Sequence, residues 1–314
     1  MLHGFLNINK DRGITSHGVI NKLRKIIKQS QIGHTGTLDP EATGVLVVGL
    51  GDATKTLQFL DESQKVYHAE IILGQTTDTQ DATGKVITEF PDLKVSLDRI
   101  KACISELTGN IKQTPPMYSA VKVQGKKLYE LAREGQEIER SARDITVYSW
   151  ELLQPTSSVY RYKESFFAKI VCSKGTYIRT LINDLGVKLG CGAHMGALIR
   201  VQSGNFQIAD SISLEEVQDA LEQNRLEKKI ISINEALSNL SALTINDEDL
   251  VKVKNGGKLS YQKYQLSIAA GSYVKVLTRE GILVAIARLI NNLEHQYWQP
   301  VKVFNPNTAS SNGV

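Results

Sequence analysis

Cysteine is scarce in this 314-residue chain, and its three copies, Cys103, Cys172 and Cys191, stand far apart with no CxxC pair. That spacing excludes a disulfide framework and a zinc cluster, fits a reducing compartment, and leaves the thiols as small buried apolar groups. Long hydrophobic runs are missing too. No segment approaches the roughly 18 to 20 consecutive apolar residues of a membrane span. The opening MLHGFLNINKDRG has neither the charged start nor the apolar core of a secretory signal, so a cytoplasmic protein with no membrane partner is expected. The glycine-rich stretch GHTGTLDPEATGVLVVGLG lacks the Lys of a GxxxxGK[ST] phosphate loop. It also runs into a strand and not a helix, which excludes a dinucleotide fingerprint. Asp78 and Asp81 of TDTQDATG do not complete a calcium loop and read as loop carboxylates, Asp81 orienting its neighbours.

What is present is ordinary globular material: 41% hydrophobic and 22% charged residues, enough for a sizeable core and about two domains. The net charge of +4 is small, but its distribution is uneven. Residues 1–30 carry six Lys or Arg against one acid, 111–143 seven against four, and 243–304 eight against five, whereas 210–242 hold seven acids against three bases. Three basic regions point to a large polyanion touching several parts of the protein.

Hydrophobic periodicity orders the elements. HGFLNIN reads as a strand. ITSHGVINKLRKIIKQS reads as a helix with Ser16 as N-cap, Val19, Ile20, Leu23, Ile26 and Ile27 on one face and Lys22, Lys25 and Lys28 pointing away. GVLVVGLG is a strand buried on both faces, DATKTLQFLDES the helix after it, and VYHAEIILG a half-buried strand with GKVITEF as its later partner. LDRIKACISELTG is an amphipathic helix closed by Gly109. Pro115-Pro116 and Gly125 forbid regular structure until a short helix near Lys126 to Glu134. ITVYSWELL, SFFAKIVCS and HMGALIRVQSGNFQI read as strands and TYIRTLINDLGVKLG as a helix. The expected fold class is α+β, a mixed, mostly antiparallel sheet flanked by helices, with a small all-β C-terminal domain. The expected division is 1–211 as one domain, 212–242 as a helical acidic connector, 243–304 as the β module and 305–314 as a disordered tail.

The chemistry concentrates at Asp39. An Asp before Pro commonly caps its own turn, and that reading stands on composition alone. Against it, Pro40 pushes Asp39 into extended geometry and the Val45–Leu50 segment anchors the loop in the sheet, which is the rigid support a nucleophile or base needs. A buried carboxylate also needs a cation to stay ionised. Arg179, on the first turns of a helix otherwise showing Ile178, Leu181, Ile182 and Leu185, offers one.

Five stretches occur in order: NKDRGITSH, GHTGTLDPEATGVLVVGLG, KVYHAEIILG, MYSAVKVQGKKLYELAREG and SKGTYIRTLINDLGVKLGCGAH. Together they resemble the TruB family of tRNA pseudouridine synthases, in its bacterial stand-alone form, over about two thirds of the chain. The β module resembles the PUA-like RNA-binding domain by pattern only. The resemblance implies a pseudouridine-synthase-like fold that isomerises a uridine of the tRNA T-arm stem-loop. It implies no metal, nucleotide or redox cofactor and no obligate protein partner, and nothing demands more than a monomer. Asp39 takes the place of the family's nucleophile, Arg179 of the arginine that pairs with it, and Tyr67 of the tyrosine stacking on the flipped base. His34 matches the residue filling the vacated space, and Tyr177 and Leu198 match the lining of the uracil pocket. About 112–143, with Lys122, Lys126, Lys127, Arg133, Arg140 and Arg143, matches an insertion that closes on RNA. Two departures stand out: Asp11 replaces a usual Pro after Lys10, and Ile199 replaces one Arg of an Arg-Arg pair. A guide-RNA-dependent synthase, a non-catalytic tRNA-binding or chaperone module, and a glycosidase pairing Asp39 with Asp78 or Asp81 remain as other readings.

Overall fold

The computed structural model describes residues 1–60, 64–119, 122–123, 126–136, 138–291 and 296–305. The side chains of Lys122, Lys126, Lys127 and Arg133, and residues 306–314 of the expected tail, lie outside the described residues. The chain divides into two compact units that do not follow chain order: Met1–Pro40, Gly44–Asp61 and Gly204–Val314 form one, Glu41–Thr43 and Glu62–Ser203 the other.

In the first unit the aliphatic run after the Asp39 loop becomes the strand Thr43–Leu50, buried along nearly its whole length. It pairs antiparallel with Gly4–Lys10, Ile8 opposite Leu46, and with Ile32–Thr35, His34 opposite Val48. The helix Ser16–Ile27 lays Val19, Ile20 and Leu23 into a core with Leu6, Ile8, Leu46 and Val48. Ile212, Leu214, Val217, Ala220 and Ile230 join that core, so the acidic 212–242 segment contributes apolar faces to it through the helix Leu214–Glu222. Its acids occupy the opposite face. Ile233, Ala236 and Leu237 enter a second core with Phe5, Val45, Ile286 and Phe304.

The C-terminal part of this unit is a five-stranded sheet in the order Ala242–Thr244, Tyr273–Leu277, Leu283–Asn291, Gln296–Val303, Leu259–Ser260. The first pairing is parallel and the others antiparallel. Trp298 is fully buried in its core, its indole N–H donating to Tyr264 O at 3.0 Å. The module is not purely β: Asp247–Lys254 is a helix, capped by the Asn246 side chain.

The second unit is built on an antiparallel sheet ordered Ala193–Ser203, Lys65–Leu73, Ser165–Cys172, Arg143–Leu153, Gly109–Gln113. The helices Leu97–Glu106 and Ile178–Leu189 belong to this unit, with Ile100, Cys103, Leu181, Ile182 and Leu185 buried. The expected α+β class and mostly antiparallel sheet are therefore observed.

Several local expectations are corrected. Thr15, not Ser16, caps the first helix, its hydroxyl accepting from Gly18 N–H at 2.9 Å. Residues after Leu50 form the 3-10 helix Gly51–Phe59 in place of a regular helix. Val86–Glu89 pairs with Gln75–Thr77 and not with Lys65–Leu73, because the chain needs only one short loop to make that hairpin. The helix Leu97–Glu106 ends at Leu107, and Gly109, with φ 104°, opens the next strand.

Candidate active site

Asp39 is half-buried, and the backbone on either side of it is held. The hydroxyl of Ser16, left over because Thr15 does the capping, donates to Leu38 O at 3.0 Å and accepts from Leu38 N–H at 2.9 Å. Leu38 itself is buried. On the other side, Pro40 O accepts from Gly13 N–H at 2.9 Å and from Lys10 Nζ at 2.9 Å. Lys10 is only 1% exposed, and a buried ammonium is tolerated only where acceptors replace water. It also donates to Asp11 O at 2.9 Å and Ile14 O at 2.7 Å. Asp11 therefore keeps the first turn tied through its carbonyl. Leu38 and Pro40 are both held, so the Cα–Cβ direction of Asp39 between them is set. In the same unit His34 is half-buried on the strand Ile32–Thr35.

In the second unit Tyr67, on the strand Lys65–Leu73, is buried and lies opposite Ile170 on one neighbour and Arg200 on the other. Leu198 is opposite Ala69, two residues along, so Tyr67 and Leu198 are diagonal neighbours on one face of the sheet. Cys172, two residues along from Ile170, shares that face, and burial pushes its thiol up to about 11 despite Thr176, Lys65 and Arg200 nearby. A thiol so hard to ionise is not a nucleophile at neutral pH. Tyr177 stands at the N-cap of Ile178–Leu189, its N–H donating to Gln113 Oε1 at 2.8 Å and its carbonyl accepting from Gln113 Nε2 at 3.0 Å.

At the start of that helix Arg179 donates, among its contacts, to Thr79 O at 3.1 Å, Asp81 Oδ2 at 3.2 Å and Tyr118 O at 2.8 Å. Asp81 is saturated in turn. Its Oδ1 accepts the hydroxyls of Thr79 at 2.7 Å and Thr83 at 2.6 Å and the Thr83 N–H at 3.0 Å. Both side chains of the ion pair are nearly inaccessible, 6% and 13% exposed. Gln80, at φ 65°, accepts from Thr180 Oγ1 at 2.8 Å and so ties the Asp81 loop to the Arg179 helix. Gln113, Gln80 and the two clamps on the Asp39 loop escaped the sequence reading. A glutamine bonding 64 residues away leaves no periodic signal. Among the described residues no three His, Cys, Asp or Glu side chains gather as a metal site, and no helix is long and apolar enough to cross a membrane.

Residues 24–178 match the model of the TruB family pseudouridylate synthase N-terminal domain, and residues 179–240 that of the tRNA pseudouridylate synthase B C-terminal domain. The chain is 46% identical over 257 residues to the tRNA pseudouridine synthase B of Bacillus cytotoxicus, covering 81% of this chain and 83% of the relative. The protein of that name from Geobacillus thermodenitrificans is 45% identical over 295 residues, covering 90% and 98%. In three dimensions the chain is similar to a chain in the crystal structure of a Cbf5–Nop10–Gar1 complex. The TM-score is 0.73 at 29% identity, over 96% of this chain and 84% of that one. A chain of an H/ACA RNP bound to a substrate RNA containing 2'-deoxyuridine gives 0.74 at 27% identity, over 97% and 86%. The chain belongs to the TruB family of pseudouridylate synthases, a family of isomerases.

Proposed function

We propose that this enzyme isomerises uridine to pseudouridine in tRNA, at a uridine of the T-arm loop, with Asp39 as the nucleophile. The reaction breaks the N1–C1′ bond, turns the uracil and joins C5 to C1′. N1 ends with a proton and C5 loses one, so the product has the substrate's mass. The observation that carries the reading is the grip on Leu38 and Pro40, which holds the backbone on both sides of the Asp39 carboxylate. Covalent catalysis asks for that rigidity.

In this reading Arg179 is the charge partner of Asp39, as in the resemblance. Tyr67 stacks on the flipped base, His34 fills the space it leaves, and Tyr177 and Leu198 line the uracil pocket. Flipping costs a few kcal/mol, offset by those contacts. Arg179→Lys is expected to impair turnover, since a fork that serves several acceptors at once is lost. A glycosidase pairing is disfavoured because the acceptor sites of Asp81 are taken by Arg179, Thr79 and Thr83, which leaves no place for the proton a general acid must carry. The C-terminal β module serves as a PUA-like RNA-binding domain. Lys258 lies 4.2 Å from the Tyr297 ring centre and Arg288 5.8 Å from that of Tyr273, cation and aromatic pairs suited to bases and phosphates. The segment 112–143 closes on the RNA. The enzyme works in the cytoplasm, as a monomer, on tRNA without a guide RNA or protein partner.

The test is to map pseudouridine in an unmodified tRNA transcript incubated with the pure protein and with Asp39→Asn. Wild type is expected to modify one T-loop uridine, and the variant to bind the transcript and modify nothing. Pseudouridine made by Asp39→Asn would overturn the nucleophile. Wild-type modification at another position alone would overturn the T-arm assignment.

A further inference from the structure

The helix Ser16–Ile27 carries a charge pattern that the fold does not use. Lys22, Lys25 and Lys28 are all exposed; Lys22 and Lys25, three residues apart, are neighbours on the helix surface, and Lys28 follows as its left-handed C-cap. None has a carboxylate partner among the described residues, whereas Arg24, between them, spends its guanidinium on Ser30 O at 3.1 Å and Ile32 O at 3.1 Å. The helix has no acid in its first turn and none later. Acids are close at hand. Leu214–Glu222 packs into the same core and bears Glu215, Glu216, Asp219 and Glu222, yet no ion pair joins the two helices. The two signs are kept apart, and like charges in a row repel each other at a small cost in stability. A polyanion laid along the row would offset that cost and gain from it.

The position of the row selects the polyanion. Ser16, the first residue of the helix, grips the Asp39 loop through Leu38. At about 1.5 Å per residue, Lys22 and Lys25 stand about 9 and 13 Å further along the axis, with Lys28 just past the helix end. A duplex offers a phosphate on each strand every ~3.4 Å of its axis, so the roughly 4.5 Å from Lys22 to Lys25 matches one phosphate step and Lys28 extends the row.

Resting on the isomerase reading above, we propose that Lys22, Lys25 and Lys28 form a phosphate-backbone docking rail for the RNA stem that leads into the modified loop. The rail fixes the register of the stem and reads no base, because backbone contacts position without specifying sequence.

The experiment uses the full-length protein with Lys22→Gln/Lys25→Gln/Lys28→Gln, a tRNA transcript and its isolated T-arm stem-loop. Affinity is measured across a salt series, and pseudouridine formation is followed in single turnovers at saturating RNA. The expected result is a ten- to hundredfold weaker Kd for both RNAs near 0.1 M salt. The slope of log K against log salt should be shallower by about 2 to 3, at about 0.7 to 0.9 per lost contact. The saturated rate should be unchanged. An unchanged Kd and slope would overturn the rail, as would a loss seen with tRNA but not with the stem-loop. Failure of wild type to form pseudouridine in either RNA would sink the isomerase reading instead, and the salt slopes would show that separately.

Discussion

In the Asp39 loop hydrogen bonds grip the backbone on either side of the aspartate, and in the Asp81 loop two threonines and an arginine grip the carboxylate itself. Ser16 and Lys10 hold Leu38 and Pro40. Thr79, Thr83 and Arg179 hold the two oxygens of Asp81. The first arrangement fixes the direction of a side chain through its backbone; the second engages the carboxylate of Asp81 to keep a buried guanidinium in place.

The largest effect should come from moving the Asp39 carboxylate. Asp39→Glu keeps the charge but advances it by one methylene, and a misplacement of about 1 Å can cost about 100-fold. Single-turnover pseudouridine formation is expected to fall at least that far with RNA affinity retained. If Asp39→Glu kept full activity, the clamps would have no aiming role. Next is the engaged carboxylate. Asp81→Ala removes one carboxylate partner of the buried Arg179, and breaking a buried ion pair typically costs about 3 to 5 kcal/mol. Denaturant melts should show that loss of stability together with loss of turnover, and Asp81→Asn should recover part of both. A melt unchanged in Asp81→Ala would mean that Arg179 is held well enough by its other partners, the Thr79 and Tyr118 carbonyls among them.

Ser16→Ala tests the clamp more gently. It removes two hydrogen bonds in a buried place, worth about 1 to 3 kcal/mol, and should lower kcat more than it raises KM. Equal melts and equal kcat would remove Ser16 from the account. The smallest effect belongs to a third carboxylate, Asp249, which is engaged like Asp81. Burial pushes its carboxyl up, but hydrogen bonds from Lys263, Tyr264 and Lys252 together outweigh it and hold it well below the usual range. A depressed carboxyl contributes stability fully present above the unfolded value near 4, and lost as pH falls through the lower folded value. The Tm of the C-terminal module should therefore be flat from neutrality to about pH 4 and fall below it, and Asp249→Asn should flatten that fall.

The same contrast separates what sequence reveals from what it hides. Local grammar was legible: the buried strand Thr43–Leu50, the helix Ile178–Leu189 and the lysine face of Ser16–Ile27 follow from spacing alone. The backbone support of the Asp39 loop was legible in part because Pro40 and the strand after it are its neighbours in the chain. Arg179 was noticed as a candidate cation, but its bond to Asp81, 98 residues away, was not, since nothing in periodicity encodes which loop reaches which helix. Ser16 was assigned to capping because Thr and Ser are equally able to cap. Only the fold shows that Thr15 takes that duty and frees Ser16 for Leu38. The helix Asp247–Lys254 was missed although Asn246, three acids and two terminal lysines announce it, because the surrounding short strands dominated the pattern.

The strand Gly4–Lys10 has one further consequence, for biosynthesis. Its edge is finished by segments made much later: Phe5 exchanges both backbone hydrogen bonds with Ile231, at 2.8 and 2.9 Å, and Asn9 N–H reaches Ile212 O at 2.8 Å. About 140 residues, mostly those of the second unit, lie between Asp61 and Gly204. At roughly 5 to 20 residues per second a ribosome needs about 7 to 30 s to deliver them. During that interval the second unit can fold as an almost continuous stretch, while the strand that leads into the Lys10 clamp waits with an open edge. The Asp39 loop is thus encoded early and its supporting strand completed late, and a nascent chain arrested before Ile212 should hold the Asp39 sequence without that support.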